Sequence, residues 1–537
     1  MSDVGQSRTV VLQLILIQQW RPPTGPRILR LAKKTSVHQE DRGNHAPSAI
    51  WSLTREGRLL SSGRMGHGHA TEDLESAWEA LVQRQGQLGS DQELAELALG
   101  LIQEMGNRAT HRDVLRGLLE AWATDWRLTV AAASLLIEQA GRRGMDEPPL
   151  SDDGPASWAA AALQRSLDAL NDADRKDADI AGNSYAMLGN ALRLCGPSRD
   201  AEAQEAFTHA IELDPERGEW WYDAGLLDKW RGRFDDGYAA NEQARMRLGP
   251  QRPVLWNLAI CATALGKAEE AVEAWEEIGV PARLDRSRDM PYVAGLPPML
   301  LRVLSRTSST DSTSQLPDNT VGFEMVWIAP LSPCHGVVQS PTFRDAPIDY
   351  GDLVLWDGAP VAAHKTSAED AVPVFPLLEI LRKGNERRWP FVALERERGA
   401  LEGIEKELPE GTRVFVQHER LEHHCAACEA GQPHEHGEAG AVSAPVPASA
   451  PAAVPAPASA PVPAPVSASL ARGKVIVQPT QDLEAFREAW EAATERLALS
   501  ASLPALYEEL GEAKRAGQEH QAWRGIEGKA LRQKARP

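Results

Sequence analysis

Apolar residues recur every three or four positions from residue 72 to about residue 279, which predicts a long run of amphipathic helices. Trp78 stands near the start of this pattern, and glycine-containing breaks such as Gly106-Asn107 separate the expected helices. Residues 1–70 instead mix β-branched apolar runs with Pro and Gly, and they predict a small β-rich N-terminal segment. Residues 71–146 are expected to be helical, either as simple helices or as degenerate repeats.

The strongest organisational signal is an internal period within residues 155–282. Three pairs of small residues are spaced 34 positions apart: Gly232 with Gly266, Ala210 with Ala244, and Gly225 with Ala259. One unit reads Tyr185-x-x-Leu188-Gly189-x-x-Leu192, then Ala203-x-x-x-Phe207-x-x-Ala210, then Asp214-Pro215. The next two units place Trp221-x-x-Ala224-Gly225, Gly232 and Ala244, and then Leu255, Ala259, Gly266 and Ala271, at corresponding positions. A period of 34 is typical of a helix-turn-helix repeat.

This segment resembles the tetratricopeptide repeat (TPR) family, in which small residues stand where two helices touch and large apolar residues fill the space between them. It departs from the family pattern by extra residues near Gly196-Pro197-Ser198, by Gly237 where alanine is usual, and by a third unit without its closing proline. The resemblance implies an α-solenoid whose first helices line a groove for a protein or peptide partner.

The resemblance also assigns residues to that groove. Carried over position by position, it places seven residues there: Asn190, Arg193, Tyr222, Asp223, Leu226, Lys229 and Asn257. Tyr222, Leu226 and Lys229 have helical i, i+4, i+7 spacing, so they share one helix face. The alternative, that these side chains pack inside the chain against its own other segments, stays open.

The second half of the chain shows a different pattern of apolar residues, with short runs in place of helical spacing. Short β-branched and aromatic runs, such as Phe323–Ile328 and Leu353–Trp356, predict strands, and Pro376–Leu381 and Gly399–Leu408 are read as helical between them. Residues 320–438 are therefore expected to form an α+β module. The stretch after Pro281 is expected to be loop-like and to end in a linker over residues 305–319.

A cluster of metal-ligating residue types closes this module. Cys425 and Cys428 form a Cys-x-x-Cys pair, and His434 and His436 follow within a few residues. Two thiolates and two imidazoles complete the tetrahedral donor set that zinc prefers, and the short gap predicts a knuckle-like loop with a structural Zn ion. A redox pair and an idle His-rich loop are the alternatives.

Residues 439–471 are rich in Pro, Ala, Ser and Val, and they read as a linker or inserted loop. We expect Val414–Gln417 and Lys474–Val477 to pair as a hairpin around this insertion. Residues 472–537 should then contribute that strand and the C-terminal helices, with Thr480 as an N-cap and Pro504 at the start of a later helix.

Composition narrows the class of partner. The chain of 537 residues carries 57 basic and 76 acidic side chains, a formal charge of −19, which disfavours generic binding to nucleic acid or to an anionic membrane surface. Five cysteines exclude a disulfide-built scaffold. The apolar run Val10–Ile17 lacks a following small-residue cleavage site, and we expect a cytoplasmic protein of unknown oligomeric state.

Candidate nucleophiles are weak. Ser340 precedes Gly351-Asp352 in an order that faintly resembles the serine neighbourhood of signal-peptidase-like Ser/Lys peptidases, but no lysine motif follows. Cys334 and His335 are adjacent, and neighbouring residues of a strand point to opposite faces. No catalytic residue is predicted.

The overall prediction is a multidomain mix of α and α/β parts, with a central α-solenoid of TPR-like helix pairs followed by an α+β module with a metal-knuckle-like loop. Its function would be a non-catalytic protein-protein interaction scaffold with a structural zinc-type site. The competing prediction is a hydrolase-type enzyme with its site in residues 320–438 and the repeats as a docking arm; a metal-responsive regulator is a third.

Overall fold

The computed structural model describes residues 50–53, 59–62, 69–139, 154–306, 321–365, 371–395, 400–418 and 469–534. These residues belong to two compact units that divide between Gly295 and Leu296. The first unit is mainly helical and the second contains two sheets, so the predicted order of a helical repeat region followed by a sheet-containing part is confirmed. No helix within the described ranges combines the length and apolar character needed to cross a bilayer.

The first unit opens with a short antiparallel strand pair, β1 (Ile50–Leu53) and β2 (Leu59–Ser62). Its described α-helices then follow in this order: α1 His69–Gln83, α2 Gln92–Met105, α3 Arg112–Ala121, α4 Trp126–Gln139, α5 Pro155–Asp168, α6 Asn183–Cys195, α7 Asp200–Leu213, α8 Gly218–Trp230, α9 Phe234–Leu248, α10 Arg252–Ala264 and α11 Ala268–Glu277. Within the repeat segment the pairs α6–α7, α8–α9 and α10–α11 pack together across short turns, as helical hairpins do.

The 34-residue period reflects a turn that recurs between the two helices of a pair. Gly232, between α8 and α9, has φ +70°, and Gly266, between α10 and α11, has φ +71°. L-residues rarely adopt this left-handed conformation, and glycine adopts it at no steric cost. The repeated glycine is therefore required by the backbone of the turn.

Close helix contact explains the small residues of the pattern. A Cβ on Gly189 of α6 would lie 2.7 Å from the ring of Phe207 on α7, and Phe207 is fully buried. A Cβ on Gly237 would lie 3.1 Å from the backbone nitrogen of Lys229, so α8 and α9 approach closely at this glycine. Glycine at these points lets large apolar side chains fill the core without voids.

The helices before the repeat segment continue the packing. Helix α1 contacts α2, α3 contacts α4, and α5 packs against both α4 and α6. Buried leucines of α2 and α3 join one apolar core that extends into α8. At the other end of this unit, β3 (Arg283–Asp285) and β4 (Met290–Tyr292) pair and pack on α11, within a stretch that the sequence predicted to be loop-like.

The second unit contains a small closed barrel. Its described strands are β5 Met299–Arg306, β6 Val321–Pro330, β7 His335–Val338, β8 Leu353–Trp356, β9 Ala362–Lys365 and β10 Ala371–Arg382. The order β5-β6-β7-β8-β10 closes through a parallel pairing of β10 with β5, and β9 pairs with the first part of β10. Alternate residues such as Leu301, Ile328 and Trp356 fill the interior.

A second sheet has the order β12-β13-β11-β14. These strands are β11 Arg387–Glu395, β12 Arg413–His418, β13 Ser469–Val477 and β14 Ser500–Ser502, and helices α12 Leu483–Arg496, α13 Pro504–Glu509 and α14 Ala513–Lys534 accompany them. The expected hairpin is confirmed, because β12 pairs antiparallel with β13 with Val414 opposite Val475. Phe391 of β11 packs edge-on against Trp490 of α12, at 5.7 Å between ring centroids.

Four local predictions need correction. Pro376–Leu381 is not helical, because it lies inside strand β10, whose apolar run faces packing partners on both sides. Asp482, not Thr480, caps α12, since its carboxylate accepts the N–H groups of Glu484 and Ala485. The linker predicted over residues 305–319 starts too early, because Ser305 lies in β5. The linker or inserted loop predicted over residues 439–471 ends too late, because residues 469–471 already belong to β13.

Candidate functional site

The predicted groove residues come together on the first helices of the repeat pairs, and a polar row joins α6 to α8. Asn190 on α6 donates from Nδ2 to Oδ2 of Asp223 on α8 at 2.7 Å and to the carbonyl of Ala186 at 3.1 Å. Arg193, one turn further along α6, donates to Oδ1 of Asn190 from Nε at 2.9 Å and from Nη2 at 2.7 Å. Both ends of the Asn190 amide are therefore held, and its orientation is fixed.

A second polar link joins α8 to α10. The ammonium of Lys229 donates to Oδ1 of Asn257 at 2.9 Å. Lys229 is only 2% exposed and Asn257 only 3%. The resemblance assigned these two side chains to the groove, with packing inside the chain as the alternative. Both are buried in the structure, where they connect neighbouring helix pairs.

The more open part of this face is apolar and aromatic. Tyr222 and Leu226 of α8 are half-buried and stand one helical turn apart. Arg193 is also half-buried, and its guanidinium lies 4.7 Å from the ring centroid of Trp230, a cation–π contact that the sequence did not predict. We call Arg193, Tyr222 and Leu226, with the buried polar row behind them, the first-helix face.

Burial dominates the electrostatics of this face. Asp223 is 9% exposed, and loss of hydration raises the pKa of its carboxyl above the usual range. The charge of Arg193 and the hydrogen bond from Asn190 act in the opposite direction, while Glu219 adds to the rise. The carboxylate thus lies in a site that compensates its charge only in part.

Neighbouring ion pairs support the helices that carry this face. Arg231, just after α8, donates to Asp200 of α7 at 2.7 Å and to the carbonyl of Arg193 at 2.9 Å. The charged side chains of Arg231 and Asp200 are 10% and 16% exposed, so solvent screens this pair less than an exposed one. Sequence spacing contains no signal for it, because the two residues belong to different repeat units.

The predicted zinc ligands Cys425, Cys428, His434 and His436 lie outside the described residues. Within the ranges that are described, no group of three or more His, Cys, Asp or Glu side chains is arranged to hold a metal ion. The register of β12 and β13 places His418 opposite Ala471, so the two ends of the segment that carries the four residues are adjacent.

The candidate nucleophile Ser340 and the residues near it take part in hydrogen bonds that hold the backbone. Ser340 accepts the backbone N–H of Trp327 at 2.9 Å through its hydroxyl, and the carboxylate of Glu324 accepts the N–H groups of Phe343 and Arg344. These bonds tie the segment after Ser340 to strand β6 as a turn. The neighbouring Asp352 is fully buried and accepts from the N–H of Gly384, which is also a structural role.

Cys334 and His335 are both fully buried. Nδ1 of His335 lies 2.6 Å from the hydroxyl of Ser332, which is buried as well. A general base must reach a substrate to take its proton, and a fully enclosed imidazole does not meet that condition as placed.

Comparison with known proteins gives partial likenesses only. The crystal structure of MamA is 16% identical with a TM-score of 0.24, over 31% of this chain and 82% of that one. YrrB, described as a TPR protein with an unusual peptide-binding site, is 13% identical with a TM-score of 0.26, over 37% and 90%. The structure of Naa15/Naa10 bound to HypK-THB is 15% identical with a TM-score of 0.23, over 41% and 39%. No family profile and no curated protein matches the sequence.

Proposed function

We propose that this chain is a protein-interaction scaffold that binds a polypeptide segment on the first-helix face of its repeat pairs. The observation that carries the proposal is the composition of that face: half-buried Tyr222 and Leu226 lie beside a row of polar groups that are already oriented by hydrogen bonds. Aromatic and aliphatic anchors beside fixed polar groups are what a protein-binding surface requires.

Stacked helix pairs suit this task mechanically. Each pair contacts mainly its neighbours, so the first helices present a continuous surface along the stack. The links Asn190–Asp223 and Lys229–Asn257 each bridge two successive first helices and fix them relative to one another. A surface that is rigid before binding loses less conformational entropy when a partner is ordered on it.

The test is affinity purification of the full chain from its native host, followed by mass spectrometry. The double substitution Tyr222→Ala with Leu226→Ala should reduce recovery of the specific partner to background. Met246→Ala, which removes a side chain that is 66% exposed on the second helix α9, is the matched control and should leave recovery unchanged. Equal recovery with all three proteins would contradict the proposal, provided that circular dichroism shows them equally helical.

We further propose, from residue types and spacing, that Cys425, Cys428, His434 and His436 bind one structural zinc ion. The adjacent ends of β12 and β13 support this, because a hairpin insertion can be closed by a metal without disturbing the sheet. Elemental analysis of protein purified without chelator should give one zinc per chain, and Cys428→Ser should remove it. A metal-free unmutated protein would refute the site. Cys195→Ser is the control, because this free cysteine at the end of α6 is distant in sequence from the four proposed ligands, and it should leave the zinc content unchanged.

A further inference from the structure

Asp223 has one carboxylate oxygen that accepts no hydrogen bond from the residues that the structure describes. Its Oδ2 accepts from Asn190 at 2.7 Å, but among the described residues no group donates to Oδ1. The whole residue is only 9% exposed, so little water reaches this carboxylate. A carboxylate with one neutral donor and little water is stabilised strongly by a further hydrogen-bond donor, most of all by a cation.

The described groups around Asp223 direct their donors elsewhere than to its Oδ1. Arg193 directs Nε and Nη2 to Oδ1 of Asn190, and so it acts on Asp223 only from a distance. Both hydrogens of the Asn190 amide are used, one on Ala186 and one on Asp223. The row therefore orients the carboxylate and, among the described residues, leaves its second oxygen without a donor.

We propose that Asp223 binds the ammonium of a lysine or the guanidinium of an arginine in the polypeptide that occupies this face. The inference rests on the proposed function and specifies the chemistry of the partner. Leu226, one helical turn from Asp223, offers an apolar contact for the aliphatic stem of such a side chain, and its charged end reaches Oδ1. The negative formal charge of the chain favours approach of a basic segment.

The titration of Asp223 gives the proposal a second readout. Burial raises the pKa of this carboxyl, with Arg193 of α6 and Glu219 of α8 as the charged groups that act on it. A protonated carboxyl no longer attracts a cation. Affinity for basic peptides should therefore fall as pH is lowered through the raised pKa of Asp223, and the fall should be absent when residue 223 cannot ionise.

The experiment uses an array of random-sequence dodecapeptides probed with the full-length chain, with two variants at residues 223 and 235, and with the double variant Tyr222→Ala, Leu226→Ala. The wild-type chain should select peptides that contain Lys or Arg. Asp223→Asn should bind the best basic peptide at least tenfold more weakly, because the side-chain amide turns its NH₂ toward the incoming cation; tenfold corresponds to about 1.4 kcal/mol. Asp235→Asn, an exposed carboxylate on α9, is the control and should bind as the wild type does.

The outcomes separate the two proposals. Peptide binding that depends on Tyr222 and Leu226 but shows no preference for basic residues would overturn the role of Asp223 alone. That role would also be overturned if Asp223→Asn kept both the affinity for the basic peptide and its dependence on pH. Failure of the wild-type chain to bind any peptide or any partner would overturn the proposed function as well.

Discussion

Lys229 on α8 and Asn257 on α10 are joined by a 2.9 Å hydrogen bond, and both side chains are almost fully withdrawn from water. The lysine stem contributes to packing, while its ammonium satisfies an amide oxygen of the next repeat pair. A charged residue that looked like a ligand contact is thus a link between repeat pairs. Because adjacent pairs stabilise one another in such stacks, this link should affect the stability of the repeat segment more than an exposed lysine does.

Lys229→Met tests that role. Methionine keeps an unbranched apolar stem but removes the donor to Asn257, so the free energy of unfolding of the repeat segment should fall by about 1–3 kcal/mol. The measurement is amide hydrogen exchange in peptides that cover α8 to α10, which isolates this segment from the second unit.

Lys176→Met, an exposed lysine in the same unit, is the matched control and should change stability by less than about 0.5 kcal/mol. The double variant Lys229→Met with Asn257→Leu removes both polar partners and should recover part of the loss. If Lys229→Met exchanges no faster than Lys176→Met, the bond contributes little.

Alanine scanning of two helical glycines should give opposite results. In Gly189→Ala the new Cβ meets the buried ring of Phe207 at 2.7 Å, and the ring has no free space to enter, so stability should fall by about 1–3 kcal/mol. In Gly100→Ala the new methyl meets nothing within 4 Å, and the gain in helix propensity should raise stability by up to about 1 kcal/mol.

Chemical denaturation monitored by hydrogen exchange in α2 and α6 distinguishes these two effects. The Phe207→Leu substitution should relieve the clash of Gly189→Ala, so the pair should lose less than the sum of the single changes. A similar gain in both alanine variants would mean that α6 and α7 are not in close contact.

The parts of the fold that sequence predicts are those fixed by local stereochemistry. Gly232 and Gly266 stand at turns whose positive φ excludes most other residues, so their spacing reveals the repeat period directly. Gly189 and Phe207 form a small–large pair that recurs in the pattern for the same packing reason. The pairing of the segment Val414–Gln417 with the segment Lys474–Val477 also followed from β-branched runs on both sides of an insertion, although its register did not.

The parts that sequence did not predict depend on tertiary neighbours. Pro376–Leu381 has apolar residues at spacings that also suit a helix, and only the flanking strands β5 and β8 show that it is a strand packed on both faces. The burial of Lys229 depends on the close packing of α8 and α10, which no local pattern encodes. That no described residue donates to Oδ1 of Asp223 is a geometric feature, and spacing alone could place the residue on the face but not show which of its oxygens is bonded.

His111 should make the first helices sensitive to acid. Its side chain is 1% exposed, lies 4.5 Å from Trp78 between ring centroids, and accepts the backbone N–H of Arg108 through Nδ1. Burial, with a contribution from Arg108, lowers its pKa below the ordinary 6.5, against an opposite effect of Glu75. The unfolded chain therefore binds the proton more readily, and stability is full above pH 6.5 and decreases as pH falls from there through the lower folded pKa.

The measurement is the urea concentration at which the amides of α1 and α3 lose half of their protection from hydrogen exchange. It is made between about pH 8 and about pH 5, a range that brackets the ordinary histidine pKa. The wild type should lose stability over this range by more than His111→Gln does, because glutamine does not titrate. His209 on α7, whose side chain is 45% exposed, provides the control His209→Gln, which should retain the wild-type pH dependence. Parallel curves for wild type and His111→Gln would exclude His111 as the cause.

Two deletions that differ by a few residues should separate the insertion from the sheet that carries it. Strand β13 begins at Ser469, and the fully buried Ala471 lies opposite Ala393 of β11 and His418 of β12. Deleting residues 439–467 shortens only the connection between β12 and β13, and shortening a loop costs little or slightly favours closure. Deleting residues 439–471 also removes the first three residues of the strand, and with them the pairing of β13 to the end of β11 and the pairing of Ala471 to His418. The first variant should show wild-type protection of Arg387–Glu395 in hydrogen exchange, and the second should lose it. Equal protection in both would mean that the second sheet does not need the first residues of β13.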